Sequence, residues 1–452
     1  MTSALGLARR SLFVIAFEVV ALAWAPRVDA APKLQGIAEA SLGYTDNPQS
    51  APEPPIPGGA TKSAGAFTLL SPGIVLAIAS HRNVQRLSYT YTHELFFGNN
   101  QTSTTANQLA YRAFFDVSPR VGLVVGASAT ESNSYSSYIL RPPGAGAVNA
   151  VPAGSGAFLS TTADELLSLD VAVWWRTYQG IALTLQTPLF DTVAPRSVVP
   201  EARIGIERSW RRDATGLEAR ANYSVIIGSL AADGAAQSPQ HQIIGTGVGW
   251  WSHDWARSWT TRLEVGGLRV QRINTGYGFW EPTATAVLAY TTEFGGADAT
   301  YAHSVTVNAL LGQTLLIDEL RLRGLLPLTK GGEVFFLGSA GYQKGRLLGQ
   351  DTRVVAHIDS LLLDAGLGWQ ATKSLAVSLR YQHMRQLSDT RVPPLPFSFI
   401  RNTVMIVGTL RYPPESEMPR AYRAPRRVDR SDEINDVMAP SASGNGQDRP
   451  SP

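Results

Sequence analysis

The chain has 452 residues, with 39 basic and 36 acidic side chains, a formal net charge of +3 and no cysteine. So slight a charge gives no reason to expect a nucleic-acid partner. The lack of cysteine excludes disulfides, thiolate metal ligands and a cysteine nucleophile. A mean hydropathy of −0.04 argues against a helical membrane protein, but not against a barrel whose strands alternate polar and apolar residues.

Residues 1–30 read as a cleaved signal peptide. Arg9 and Arg10 form a basic start, and Ser11 to Trp24 is mostly apolar but short for a bilayer span. Val28 and Ala30 supply small residues at −3 and −1 of a cleavage site. The rest of the sequence holds no apolar run near the ~18 residues that a spanning helix needs. An exported chain of this kind is either released or built as a barrel.

Period-2 alternation is clearest at 85–97 and 108–117. In the first stretch Leu87, Tyr89, Tyr91, Leu95 and Phe97 share one face, and Arg86, Ser88, Thr90, Thr92 and Glu94 the other. In the second, Leu109, Tyr111, Ala113, Phe115 and Val117 alternate with Gln108, Arg112 and Asp116. The same reading predicts strands near 34–45, 65–79, 84–97, 106–117, 121–130, 165–176, 181–187, 200–209 and 216–229. It continues through 242–251, 258–270, 283–292, 299–311, 316–326, 333–344, 357–369, 374–386 and 399–412. The fold class expected is all-β: a transmembrane, antiparallel, up-and-down β-barrel of about 18 strands, within a domain 31–412.

The connections alternate in length. Tight turns are expected at 118–120, 178–180, 211–214, 293–296 and 370–373, with longer segments at 46–64, 131–163, 188–199, 230–240 and 388–398. Trp174, Trp175, Trp210, Trp250, Trp251, Trp255, Trp259 and Trp369 all lie in or beside the short turns. Tryptophan favours the headgroup layer, so these eight predict a girdle on the periplasmic side. The longest loop, 131–163, carries Tyr135 and Tyr138, which could narrow the lumen and stack on sugar rings. Residues 413–452 read as a disordered periplasmic tail. Its Arg420, Arg423, Arg426, Arg427 and Arg430 could grip an acidic periplasmic export partner.

The signal peptide, alternating strands, Ser-Pro turns, aromatic girdle and closing strand ending at Tyr412 together resemble a porin-like Gram-negative outer-membrane β-barrel over residues 34–412. Ser41-Leu-Gly-Tyr-Thr-Asp-Asn-Pro48 and Leu70-Ser-Pro-Gly-Ile74 are similar to segments of the integral outer-membrane porins of exopolysaccharide export systems. The resemblance implies outer-membrane lipid outside the barrel and a polar solute or polysaccharide within it.

Charges in the inward phase are the main functional material. They are Arg86, Glu94, Arg112, Asp116, Asp170, Arg176, Arg203, Glu207, Glu218, Arg220, Arg262, Glu264, Glu319, Arg321, Arg323, Asp364 and Arg380. A barrel of this size is too wide for side chains to fill, so such groups stay hydrated in a pore. Facing lipid, each would cost about 2–4 kcal/mol at the midplane. The function expected is a channel for polar solutes, with polysaccharide export as its specialisation; the competing reading is a structural or adhesive barrel with a closed lumen. No enzyme is expected. His93 and His303 fall in the lipid phase with no Ser or acid placed beside them by spacing, and no His-x-His or Glu-x-x-His pattern points to a metal. No cofactor is expected either.

Overall fold

The computed structural model describes residues 32–48, 50–53, 55, 62–80, 82–97, 103–133, 157–189, 196–227, 239–256, 258–274, 276–292, 295–308, 313–348, 357–388 and 398–414. Eighteen strands run through them. The first nine are β1 (Lys33–Thr45), β2 (Gly65–Ala79), β3 (Asn83–Phe97), β4 (Ser103–Ser118), β5 (Val121–Ser132), β6 (Phe158–Ala172), β7 (Trp175–Pro188), β8 (Arg196–Ser209) and β9 (Asp213–Ile227). The second nine are β10 (Gln240–Asp254), β11 (Trp259–Arg272), β12 (Gly278–Thr291), β13 (Gly296–Asn308), β14 (Gln313–Pro327), β15 (Val334–Leu347), β16 (His357–Gln370), β17 (Leu375–Ser388) and β18 (Phe399–Tyr412). Each strand pairs antiparallel with its sequence neighbours, and β1 closes the sheet on β18 with Gly36 opposite Tyr412 and Thr45 opposite Thr403. Closure satisfies the edge N–H and C=O groups that lipid could not.

Register fixes the two faces. On β9, Leu217, Ala219, Ala221 and Tyr223 point outward, while Glu218, Arg220, Asn222 and Ser224 point inward. Leu217 is 65% exposed in the isolated chain and Ile204, on β8, 62%; both look onto lipid. The inner face tolerates large groups because glycines on adjoining strands leave room for them. Tyr178 lies so close to Gly205 that a Cβ there would sit 2.3 Å from its ring, and Trp250 covers Gly216 in the same way.

All connections on one rim are short: 80–82, 119–120, 173–174, 210–212, 255–258, 292–295, 328–333 and 371–374. Lys33 and Tyr412 end on this rim too, so it is the periplasmic side. Trp174, Trp175, Trp210, Trp255, Trp259 and Trp369 are exposed there, and Arg208 stacks over Trp175 at 5.4 Å and Trp210 at 4.9 Å. On the outer face toward the other rim stand Tyr44, Tyr91 with His93, Tyr223 with His241, and Tyr381 with His383. Two aromatic girdles around an apolar band on a closed antiparallel barrel make this an outer-membrane β-barrel.

Three sequence expectations need correction. Trp250 does not belong to the girdle: its register partners Gly216 and Glu264 face inward, and it is 5% exposed. Residues 178–180 form no turn but lie within β7; the turn is at 173–174, two residues after a register shift between Asp170 and Ala172. The 131–163 loop is shorter than expected, because β5 runs to Ser132 and β6 begins at Phe158. The stretch 158–163 is rich in Ser and Thr and so reads as loop by composition, yet it alternates and pairs residue by residue with β5. Residues 1–30, Tyr135, Tyr138 and the tail beyond 414 lie outside the described residues.

One ladder is incomplete. β12 pairs with β13 only from Ala284/His303 to Thr291/Gly296, although β11–β12 and β13–β14 continue to their extracellular ends.

Candidate functional site

The closed register carries a single inward phase around all eighteen strands. The seventeen charged positions singled out from alternation fall on it: Arg86 and Glu94 on β3, Arg112 and Asp116 on β4, Asp170 on β6 and Arg176 on β7. Arg203 and Glu207 follow on β8, Glu218 and Arg220 on β9, and Arg262 and Glu264 on β11. Glu319, Arg321 and Arg323 on β14, Asp364 on β16 and Arg380 on β17 complete the set.

The structure gathers many of them into one network across β6–β11. Arg176 donates to Asp170 at 2.6 Å and lies 3.9 Å from Glu207. Glu218 accepts from the Tyr178 hydroxyl at 2.7 Å and from Arg220. Arg220 also approaches Glu264 at 4.0 Å, and Glu264 accepts from Arg262 at 2.8 Å. Arg262 stacks on Trp250 with 4.5 Å to the ring centroid. Alternating signs along the ladder hold each of these groups near an opposite charge on the inner face, without large self-repulsion. The result is a ladder of paired charges with little net sign on the inner face.

Elsewhere the charges form separate pairs. Asp298 on β13 accepts from Arg323 at 2.9 and 3.1 Å, with Arg321 two residues away on the same face. Arg380 pairs with Asp364. Glu94 behaves differently from the rest. Its carboxylate accepts from Thr104 at 3.1 Å and lies 3.8 Å from Arg401, and both charged side chains are only 1% exposed. They are embedded in the wall near an inward apolar cluster of Phe67, Leu69, Phe96, Met405 and Val407. The described residues of the connection after β1 are tied to the start of β18: Asn47 donates to the Ala51 and Ile400 carbonyls at 3.0 and 2.9 Å, and Glu53 N–H reaches the Ser398 carbonyl.

Sequence reading missed Asp298, Arg401, Trp250 and Tyr178. The strand expected at 299–311 began one residue too late to include Asp298. Arg401 could have been found by counting alternate residues back from Thr403 and Met405. Trp250 and Tyr178 were assigned to a girdle and a turn.

Between the charges of β3–β6 the inward phase also carries uncharged polar groups. Thr90 faces Gln108, Gln108 faces Thr130, and Ser128 shares a 2.7 Å hydrogen bond with Thr162. Gln108, Arg112 and Thr162 point inward and are nonetheless exposed, so this part of the interior borders open, water-accessible space. His93 and His303 point outward; His303 bonds Asp318 at 2.7 Å, and Tyr301 donates to the same carboxylate. Among the described residues no group of three His, Asp or Glu side chains is placed to hold a metal ion.

No protein-family model and no curated protein matches the chain. Among solved structures it is similar to OccK2 (OpdF) of Pseudomonas aeruginosa in complex with glucuronate, at 12% identity and a TM-score of 0.43, covering 84% of this chain and 98% of that one. It is similar to OccK9 (OpdG) of the same organism, with 12% identity, a TM-score of 0.43 and coverage of 84% and 98%. The open form of the ferric-catecholate import receptor Fiu from E. coli K12 matches at 9% identity and a TM-score of 0.39, over 86% of this chain and 82% of that one.

Proposed function

We propose that this barrel is an outer-membrane channel for polar solutes, specialised for moving a polysaccharide outward. The observation that carries the reading is the accessible interior at Gln108, Arg112 and Thr162, where inward side chains remain exposed. Around that space uncharged polar groups and paired charges share the lining. The hydroxyl and amide groups of Thr90, Gln108, Ser128, Thr130 and Thr162 can exchange hydrogen bonds with sugar hydroxyls as readily as with water. The paired charges of β6–β11 repel neither sign strongly and keep the path wet. A sliding polymer needs many weak, interchangeable contacts, which is what such a lining offers. Swelling of proteoliposomes in neutral saccharides of graded size tests this. Entry of mono- and oligosaccharides at rates falling with size is expected; vesicles that stay osmotically intact would end the channel reading.

The second reading, a closed structural barrel, draws support from the inward apolar cluster of Phe67, Leu69, Phe96, Met405 and Val407, since apolar side chains on the inner face favour packing over a wet lumen. The same swelling assay separates the two.

A further inference from the structure

The incomplete β12–β13 ladder coincides with a displacement of the wall. Beyond His303 the next residues of β13's lipid phase are Val305 and Val307, yet they pack, as Phe279 of β12 does, against the cluster of Ile244, Leu268 and Val270, which belongs to the lumen-facing phase of β10 and β11. Three polar contacts repeat the pattern. Gln242, facing inward from β10, exchanges hydrogen bonds of 2.6 and 2.9 Å with Thr314, the register partner of Val307. Arg346, from the outward phase of β15, donates to Glu281 of the inward phase of β12 at 3.3 Å. Arg272 reaches the Leu348 carbonyl. The outer face of the β13–β15 ends therefore lies on the inner face of β10–β12, and the sheet overlaps itself at the extracellular mouth.

We propose that the extracellular ends of β13 and β14 form a gate, seen here folded into the lumen, which opens by swinging outward to complete the β12–β13 ladder. The residues suit both positions. Val305 and Val307 alternate with Ser304 and Thr306, as on any wall strand between lipid and water. Swung out, the valines would meet lipid, and the unpaired edges of β12 and β13 would gain ladder hydrogen bonds. Folded in, the valines cover Leu268 and Val270, which are 2% and 1% exposed and would otherwise be apolar groups wetted by the lumen. Pro282 stands where β12 becomes an edge, as proline in a sheet commonly does, and lacks an N–H to leave unpaired. Two packings with opposing gains of this kind make a bistable element. For solute passage the proposal rests on the channel reading; the movement itself does not.

The cysteine-free background allows a direct test. Glu281→Cys with Thr306→Cys places thiols at positions that would face each other only if the ladder continued outward, whereas Gln242→Cys with Thr314→Cys joins the folded-in form. Both variants are treated with a short thiol cross-linker in native membranes, and folding is verified by heat-modifiable gel mobility. Cross-linking of both pairs is expected, with the Glu281/Thr306 product showing the larger conductance and the Gln242/Thr314 product the smaller. Ile244→Glu, which penalises only the folded-in form, should speed the Glu281/Thr306 reaction. Absence of the Glu281/Thr306 product while Gln242/Thr314 reacts fully would overturn the proposal, as would equal conductance of the two products. Because the cross-link is read on a gel, a barrel that conducts nothing still reports whether the hairpin moves.

Discussion

Replacing Asp298 with asparagine should be among the most damaging single changes to the barrel wall. Arg323 donates to this carboxylate from Nε at 2.9 Å and from a terminal nitrogen at 3.1 Å, and the side chains are 6% and 1% exposed. Arg321 lies on the same face of β14, so losing the carboxylate charge leaves two guanidinium groups close together. Removing one member of a buried pair typically costs about 3–5 kcal/mol, because the partner's desolvation is no longer compensated. With the wall bordering water, about 3 kcal/mol is the figure expected. Glu281→Gln breaks the Arg346 contact, where the arginine is 55% exposed, and should cost at most about 1 kcal/mol. Urea unfolding of barrels refolded into lipid vesicles, followed by tryptophan fluorescence, measures both. Substituting both partners, Asp298→Leu with Arg323→Leu, should recover much of the loss, since an apolar replacement leaves no buried charge. A loss below about 1 kcal/mol for Asp298→Asn would refute the reasoning and show the pair to be solvated.

Leu217→Arg should destabilise the folded barrel by about 2–4 kcal/mol in the same assay, whereas Thr246→Arg on the inner face should have a much smaller effect; equal losses would contradict the assigned faces. Gly216→Ala puts a Cβ 2.5 Å from the Trp250 ring and 2.7 Å from the Ile206 carbonyl, and should reduce the yield of heat-modifiable barrel. Glu218→Gln removes one acid from the β6–β11 ladder and should move the reversal potential in a salt gradient toward anion preference; an unmoved potential would place the ladder off the ion path. Deleting 139–156, which stops short of β6, should raise conductance and admit larger sugars with assembly intact, and unchanged conductance would rule out a constricting role for that loop.

Much of the architecture was legible because a barrel strand must alternate along nearly its whole length. Leu87, Tyr89 and Tyr91 against Arg86, Ser88 and Thr90 could hardly be placed any other way, and the same parity located the inward charges. Ends were harder. Strand residues beyond the lipid band no longer need apolar outward groups, so Phe158–Ala163 looked like loop and 283 looked like the start of a strand that begins at Gly278. Trp250 was misread because composition near a turn does not reveal which face a residue takes; the parity shared with Glu264 and Gly216 does. Which charges meet depends on register between strands far apart in sequence, as for Glu94 with Arg401, and a single sequence does not encode that visibly. The overlap at β12–β13 left a trace nonetheless. Ile244, Leu268 and Val270 are apolar residues in the lumen phase, an anomaly explained once Val305 and Val307 are seen to cover them.

The central claim, a water-filled polar path through the barrel, is tested most directly by single-channel recording of the refolded protein in planar lipid bilayers. The account predicts stepwise openings that conduct both ions with weak selectivity, as expected from paired charges of both signs along β6–β11. Correctly folded, heat-modifiable barrels that insert and never conduct would contradict it.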